Sequence, residues 1–132
     1  MLKNRELFNY HCELSIKIYK YISGEICNII QQSKIKFIRP NSSWYIFLNF
    51  SEYKNKLLNK GIHNSYELSE LLIKEIGIIS VPGQNFNIDE LCLRFSLIDF
   101  KIVDMNNLFI EDIDITKMKE GIYELLRLLE SI

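Results

Sequence analysis

The chain contains no alanine, two prolines and five glycines, and it has no excess of charge of either sign. Its 16 basic and 17 acidic side chains leave a net charge of −1, which gives no electrostatic footprint for nucleic acid or for an anionic membrane. No stretch approaches the ~20 apolar residues of a membrane-spanning helix. Residues 1–10 carry Glu6 and lack the apolar centre of a signal peptide. We therefore expect a soluble, cytoplasmic chain without nucleic-acid or membrane partners.

The absence of alanine accompanies an excess of isoleucine, asparagine and lysine, of which the chain has 22, 12 and 12. An AT-rich genome produces this skew, so we interpret the scattered lysines as solvated surface. Because the strongest helix former is missing, tertiary packing has to stabilise the helices instead. With a length of 132 residues and 48% apolar content, residues 1–132 are expected to form one domain with its own core.

Short-range cysteine motifs are missing as well. Cys12, Cys27 and Cys92 are an odd set without C-x-x-C spacing, and neither His11 nor His63 stands at metal-ligand spacing from them. We interpret each cysteine as a small buried hydrophobe in a reducing compartment. His63 lies between turn residues and is expected to face solvent, whereas His11 is expected at the edge of the core.

Motifs for nucleotide, metal or hydrolase chemistry do not occur in the sequence. The chain has no Walker loop, no G-x-G-x-x-G, no H-E-x-x-H and no G-x-S-x-G. The acidic cluster of Glu111, Asp112 and Asp114 does not have the spacing of an EF-hand loop, so we interpret it as part of a solvated loop. No metal ligand and no catalytic residue is predicted.

Apolar periodicity predicts a long first helix that ends near Ser33. Gly24 lies inside it, where we expect a bend or a break. Alternation over residues 35–39 predicts a strand, and residues 40–43 have the composition of a turn. The apolar stripe of the helix recurs at three- and four-residue steps through Leu14, Ile18, Ile22, Ile26 and Ile29 or Ile30, with Leu7 and His11 as its backward extension.

Residues 44–50 predict a second strand that is apolar on both faces. Such strands are usually covered on both sides, so we expect helices or another domain against each face. A short helix is predicted next, capped by Ser51 and ending at Gly61. A second helix is predicted to begin at Asn64 and to end at Gly77.

The C-terminal half predicts two more strands and a last helix. Residues 78–81 read as a short strand, residues 91–98 as the next one, and residues 99–114 as a polar loop. The buried stripe of the last helix is predicted at Met118, Ile122, Leu125, Leu126 and Leu129. The whole order indicates an α+β fold, in which a small, mainly antiparallel sheet of three to four strands packs against helices.

Arg94 is the residue whose setting invites a functional interpretation. It is one of four arginines and lies in mid-strand between Leu93 and Phe95. Alternation places Leu93, Phe95 and Leu97 on one face of that strand and Arg94 on the other. A guanidinium there would bind a carboxylate with two parallel hydrogen bonds, although an arginine on an exposed sheet face fits the residues as well.

Several segments resemble the class I/II aminotransferases, which are pyridoxal-phosphate enzymes of fold type I. Residues 42–50, SSWYIFLNF, resemble the family segment GAFYLFPDF, and residues 93–97, LRFSL, resemble its LRlSf strand. Residues 67–86, ELSELLIKEIGIISVPGQNF, are similar to eLaelLLeexGVavvPGsxFG. Two family glycines are replaced, by Ser42 and by Asn87. Asparagine tolerates positive φ, and neither change removes a catalytic atom.

The resemblance is to the C-terminal, small domain of that family and covers nearly the whole chain. It implies that Arg94 binds the α-carboxylate of an amino-acid or keto-acid substrate. The family's Schiff-base lysine, its acidic partner of the pyridine nitrogen and its phosphate cup belong to the large domain, which we expect to be absent from residues 1–132. Pyridoxal phosphate is therefore the cofactor of the family, but none is expected to be bound by this chain alone.

Two functions are compatible with this resemblance. The first is a C-terminal domain or fragment of an aminotransferase of amino-acid metabolism, inactive alone, that orients a substrate carboxylate when a large domain is present. The alternative is a non-enzymatic protein-interaction module derived from that domain. Its uncovered apolar surface would favour self-association or a partner.

Overall fold

A computed structural model describes residues 3–40, 43–103 and 113–132. The helices are α1 (Asn4–Ile30), α2 (Lys54–Asn59), α3 (Ser65–Ile76) and α4 (Thr116–Ser131), and 3₁₀ turns lie at Ser51–Tyr53 and Gly83–Phe86. The strands are β1 (Lys36–Phe37), β2 (Tyr45–Asn49), β3 (Val81–Pro82), β4 (Cys92–Ser96), β5 (Lys101–Ile102) and β6 (Ile113–Asp114). The predicted α+β class is confirmed.

Four of the strands form one sheet in the order β1-β2-β4-β3, and all its neighbours are antiparallel. Strands β2 and β4 pair along their whole length, with Phe47 opposite Arg94 and Tyr45 opposite Ser96. On the other side of β4, Val81 pairs with Arg94. The predicted small antiparallel sheet is confirmed, and the strand that carries Arg94 lies between two neighbours.

A two-stranded ribbon formed by β5 and β6 lies in the segment that the sequence predicts as a polar loop. That prediction is wrong for the ends of the segment, because strands of two residues are too short to show alternation. Of the acidic cluster, Glu111 and Asp112 lie outside the described residues. Asp114 is exposed, and hydrogen bonds from the Thr116 side chain and backbone lower the pKa of its carboxyl.

Buried side chains of four helices and two central strands form one core. The predicted stripes are confirmed apart from the backward extension to Leu7 and His11, since Ile22, Ile26, Leu125 and Leu129 are at most 1% exposed. The core joins α1, β2, α2, α3, β4 and α4 through Ile22, Leu48, Leu57, Leu72, Leu93 and Leu125. Among the described residues, no helix has both the length and the apolar character needed to cross a bilayer.

The N-terminal part of α1 extends beyond this core. The helix has 27 residues and continues through Gly24 without the predicted break. Every residue from position 4 to position 13 is exposed, including Leu7, His11 and Cys12. The prediction that His11 lies at the core edge is therefore wrong. An α-helix of 27 residues spans about 40 Å, and the rest of the core does not reach the first turns.

The cysteines divide between core and surface. Cys27 and Cys92 are buried as predicted, and burial raises the pKa of both thiols. Cys12 is exposed, so the prediction that it is buried is wrong. Cys12 does lie in the predicted first helix, but no other part of the described residues covers this segment of α1.

Helix ends follow the sequence signals at one helix and depart from them at another. The Asn64 side chain accepts a hydrogen bond from the Glu67 N–H at 2.9 Å, and Gly77 ends α3 with φ 68°. Both features of α3 are confirmed. Ser51 does not cap the helix that follows it. Its hydroxyl donates to the side-chain carbonyl of Asn49 at 2.5 Å instead.

Candidate functional site

One face of the sheet packs on the core, and the other is open in the part of the chain that the structure describes. The inward side chains Ile46 and Leu48 of β2 are at most 2% exposed. The outward Tyr45 and Phe47 are 44% and 39% exposed. The described helices thus cover only one face of the sheet. We expected both faces of β2 to be covered, and only another domain could cover the second face.

A groove of about 930 Å³ lies on the open face and is lined by residues of β1, β2 and β4 and by Phe86. Three cationic side chains, Lys36, Arg39 and Arg94, line it together with aliphatic, aromatic and polar groups and one carboxylate, that of Glu90, which accepts a hydrogen bond from the Asn49 side chain at 2.6 Å. Lys36 pairs with Glu52 at 3.0 Å, and Arg39 donates to the Asn28 side-chain carbonyl at 3.1 Å. No ion pair among the described residues includes Arg94.

Aromatic rings hold the Arg94 guanidinium. Its Cζ atom lies 4.3 Å from the centroid of the Tyr45 ring and 4.9 Å from the centroid of the Phe86 ring. The Phe86 ring in turn contacts Phe47 edge-to-face at 5.6 Å. The Nε atom of Arg94 is buried and has no hydrogen-bond partner. Cation–π contact therefore positions this guanidinium, and no carboxylate of the described residues forms an ion pair with it.

Two backbone features bring Phe86 to Arg94. A Cβ atom at Gly83 would lie 2.9 Å from the Cys92 carbonyl oxygen, so the turn after β3 packs on β4 at a distance that only glycine permits. The turn ends at Asn87 with φ 60°. This left-handed conformation is one that asparagine adopts readily, as expected for its replacement of a family glycine. The other replaced glycine position, Ser42, lies outside the described residues.

The strand alternation predicted for Arg94 is present, and its surroundings add what the sequence did not reveal. Leu93 and Phe95 are buried in the core, while Arg94 is half-buried in the groove. The role of Tyr45 and Phe86 was missed, because their contact with Arg94 depends on strand register and on the path of the 3₁₀ turn. A half-buried guanidinium that forms no ion pair within the described residues is suited to bind a carboxylate.

The lysines of the chain do not fit pyridoxal phosphate. That cofactor needs a lysine amine for its Schiff base, usually one whose pKa is lowered by desolvation. All 12 lysines lie in the described residues, and all are exposed except the half-buried Lys119. Lys119 pairs with Glu25 at 3.0 Å, a contact that raises its pKa. Lys36, the lysine of the groove, pairs with Glu52.

Solved structures supply the comparison that decides the fold. Aspartate aminotransferase from Thermotoga maritima matches 86% of this chain with a TM-score of 0.61 and 16% identity. Aromatic aminotransferase from Pyrococcus horikoshii matches 87% with a TM-score of 0.63 and 21% identity. The fold is that of an aminotransferase C-terminal domain. The resemblance read from the sequence is confirmed at the level of the fold.

The chain spans about a quarter of the length of the structures that it matches. It covers 24% of the Thermotoga chain and 25% of the Pyrococcus chain. No protein-family model and no curated protein sequence matches it. The likeness therefore lies in the arrangement of helices and strands, and what the groove binds follows from the groove's own residues.

Proposed function

We propose that the chain is an aminotransferase-derived domain that orients the carboxylate of an amino-acid or keto-acid substrate through Arg94. The observation that carries this proposal is the Arg94 guanidinium, held by Tyr45 and Phe86 in a groove and joined to no carboxylate of the described residues. Planar, two-pronged recognition of a carboxylate is the contact for which a guanidinium is best suited.

The amino-group transfer itself needs a large domain that supplies pyridoxal phosphate. This cofactor provides the electron sink for the reaction when it is bound. The domain described here contributes the carboxylate clamp, and by itself it is inactive. Titration of the chain with pyridoxal phosphate should leave no stable absorbance band near ~420 nm, the region of a protonated Schiff base. A stable band there would contradict the proposed division of labour.

A substitution at Arg94 tests the clamp once a large domain is supplied. A large domain that carries the Schiff-base lysine should first be sought in the reading frame directly upstream of Met1. Arg94→Lys replaces a two-pronged contact with a point charge and should raise KM by about 10- to 100-fold, equivalent to roughly 1–3 kcal/mol. Its thermal stability should stay close to that of the wild type. Equal steady-state kinetics for the two proteins would remove Arg94 from the site.

A second candidate is a non-enzymatic protein-interaction module, and the open sheet face favours it. Ile38 is 88% exposed, and Tyr45, Phe47 and Phe86 are each about two-fifths exposed on or beside that face. Aromatic residues and arginine are the residue types enriched in protein interfaces. Light scattering distinguishes the two functions, because a module of this kind should self-associate or bind a partner. A clean monomer at high concentration favours the carboxylate clamp.

A further inference from the structure

The two rings that contact Arg94 come from opposite sides of its strand. Tyr45 belongs to β2, which pairs with one edge of β4. Phe86 follows β3, which pairs with the other edge. Both rings present their faces to the guanidinium carbon, at 4.3 Å and 4.9 Å. The Nε atom is covered, which leaves the two Nη groups as the donors for a ligand in the groove.

We infer that Tyr45 and Phe86 form a slot around Arg94 that admits a planar carboxylate and disfavours a tetrahedral oxyanion. The two rings are thus positioning residues that set the head-group specificity of the groove. The inference rests on the proposed function, since it starts from contact between a carboxylate and Arg94.

The chemical reason is the shape of the two head groups. A carboxylate has both oxygens in one plane and can lie in the plane of a guanidinium, with two parallel hydrogen bonds. A sulfonate has the same single charge but a third oxygen that projects out of this plane. Between two ring faces, that oxygen would contact apolar carbon and lose its hydration without gaining a donor. Charge is matched, so the difference between the anions reports geometry and desolvation.

The test uses phenylacetate and phenylmethanesulfonate, which share one benzyl group and one negative charge. Binding to the complete chain is followed by ¹⁵N NMR of the Arg94 Nε–H and Nη groups. We expect phenylacetate to shift these signals and to bind about tenfold more tightly than the sulfonate, the loss expected for one charge-assisted hydrogen bond.

Two variants isolate the contribution of the rings. Phe86→Leu and Tyr45→Leu each remove one ring at a position that is 40% or 44% exposed in the wild type. Each should reduce the preference for phenylacetate to about threefold or less. Ile38→Ala is the matched control, because Ile38 lines the same groove, is 88% exposed and belongs to neither ring contact. This control should keep the wild-type preference.

The outcomes separate the inference from the proposed function. A preference that falls in both ring variants and persists in Ile38→Ala supports the slot. Equal preferences in the wild type and in a folded ring variant overturn the slot while leaving the carboxylate clamp intact. If phenylacetate leaves the Arg94 signals of the wild type unmoved at saturating concentration, the clamp itself is wrong and the slot with it.

Discussion

The Ser65 hydroxyl accepts a hydrogen bond from the backbone N–H of Cys92 at 3.2 Å and so joins the start of α3 to the strand that carries Arg94. The same hydroxyl donates to the Glu90 carbonyl at 3.1 Å. Ser65 is 1% exposed, so water does not replace either contact. One small polar side chain thereby fixes the position of β4 relative to the helix beneath it.

Removal of this hydroxyl should destabilise the fold. Ser65→Ala leaves a buried N–H without its acceptor, and we expect the free energy of unfolding in urea to fall by about 1–3 kcal/mol. Ser131→Ala is the control, because its hydroxyl is exposed and bonds only the Leu128 carbonyl. That variant should unfold like the wild type. If Ser65→Ala also unfolds like the wild type, the bridge is energetically neutral.

Two glycines should respond to alanine in opposite directions. The Cβ atom of Gly83→Ala would lie 2.9 Å from the Cys92 carbonyl oxygen, and relief of this clash should cost about 1–3 kcal/mol. At Gly24, inside α1, no atom other than those of the adjacent helix backbone and the neighbouring residues lies within 4 Å of the added Cβ. Gly24→Ala should stabilise the chain by about 0.5–1 kcal/mol. Thermal unfolding of both variants measures the change in stability relative to the wild type. Stability changes of the same sign in the two variants would contradict this prediction.

Acid should weaken the start of α3 through Glu67. The backbone N–H of His63 donates a hydrogen bond to the Glu67 carboxylate at 2.6 Å, and this bond lowers the pKa of Glu67 below its ordinary value of 4.5. When the pKa of a carboxyl is lower in the folded than in the unfolded chain, its contribution to stability is fully present at a pH above the unfolded-state pKa. This contribution is lost as the pH falls through the folded-state pKa.

Urea unfolding between about pH 5 and pH 3 measures the effect of this pKa shift. As pH decreases over this range, the free energy of unfolding of the wild type should fall more steeply than that of Glu67→Gln. The glutamine side chain of the variant does not titrate and therefore takes up no proton. Glu70→Gln, an exposed glutamate of the same helix, is the matched control. Equal slopes for the wild type and Glu67→Gln would show that the hydrogen bond contributes nothing to stability.

The three thiols should differ in reactivity. Cys12 is exposed on α1, whereas Cys27 and Cys92 are buried with raised pKa values. A thiol reagent at neutral pH should therefore modify one cysteine of the native chain rapidly, and all three only after denaturation. Cys12→Ser should abolish the rapid phase. Fast modification of that variant would show that a buried thiol becomes accessible in the native state.

The sequence predicted best where periodicity extends over several turns. The stripes of α1 and α4, the caps of α3 at Asn64 and Gly77, and the alternation around Arg94 each depend on local spacing, and each appears in the structure. Exposure of the first turns of α1 could not be predicted in this way. Periodicity identifies which face of a helix is apolar, but only tertiary structure determines how far the core extends along it.

The candidate site shows the same limit. Alternation placed Arg94 on the outward face of its strand, but the contact with Tyr45 requires the register that puts Phe47 opposite Arg94. The contact with Phe86 requires the close approach at Gly83. The spacing of residues along the chain determines neither the register of two strands nor the distance between two segments. The two-residue strands β5 and β6 are also too short to be detected from alternation.

The long first helix joins two environments in one continuous hydrogen-bonded segment. From Ile18 onward its apolar face lines the core, while residues 4–13 are all exposed. Isolated helical turns of that length are marginal in water, and none of these residues is alanine. Amide protons of the first turns should therefore exchange with deuterium in local fraying events, while those near Ile26 exchange only on global opening. A single helix would thus contain both weakly protected and strongly protected amides.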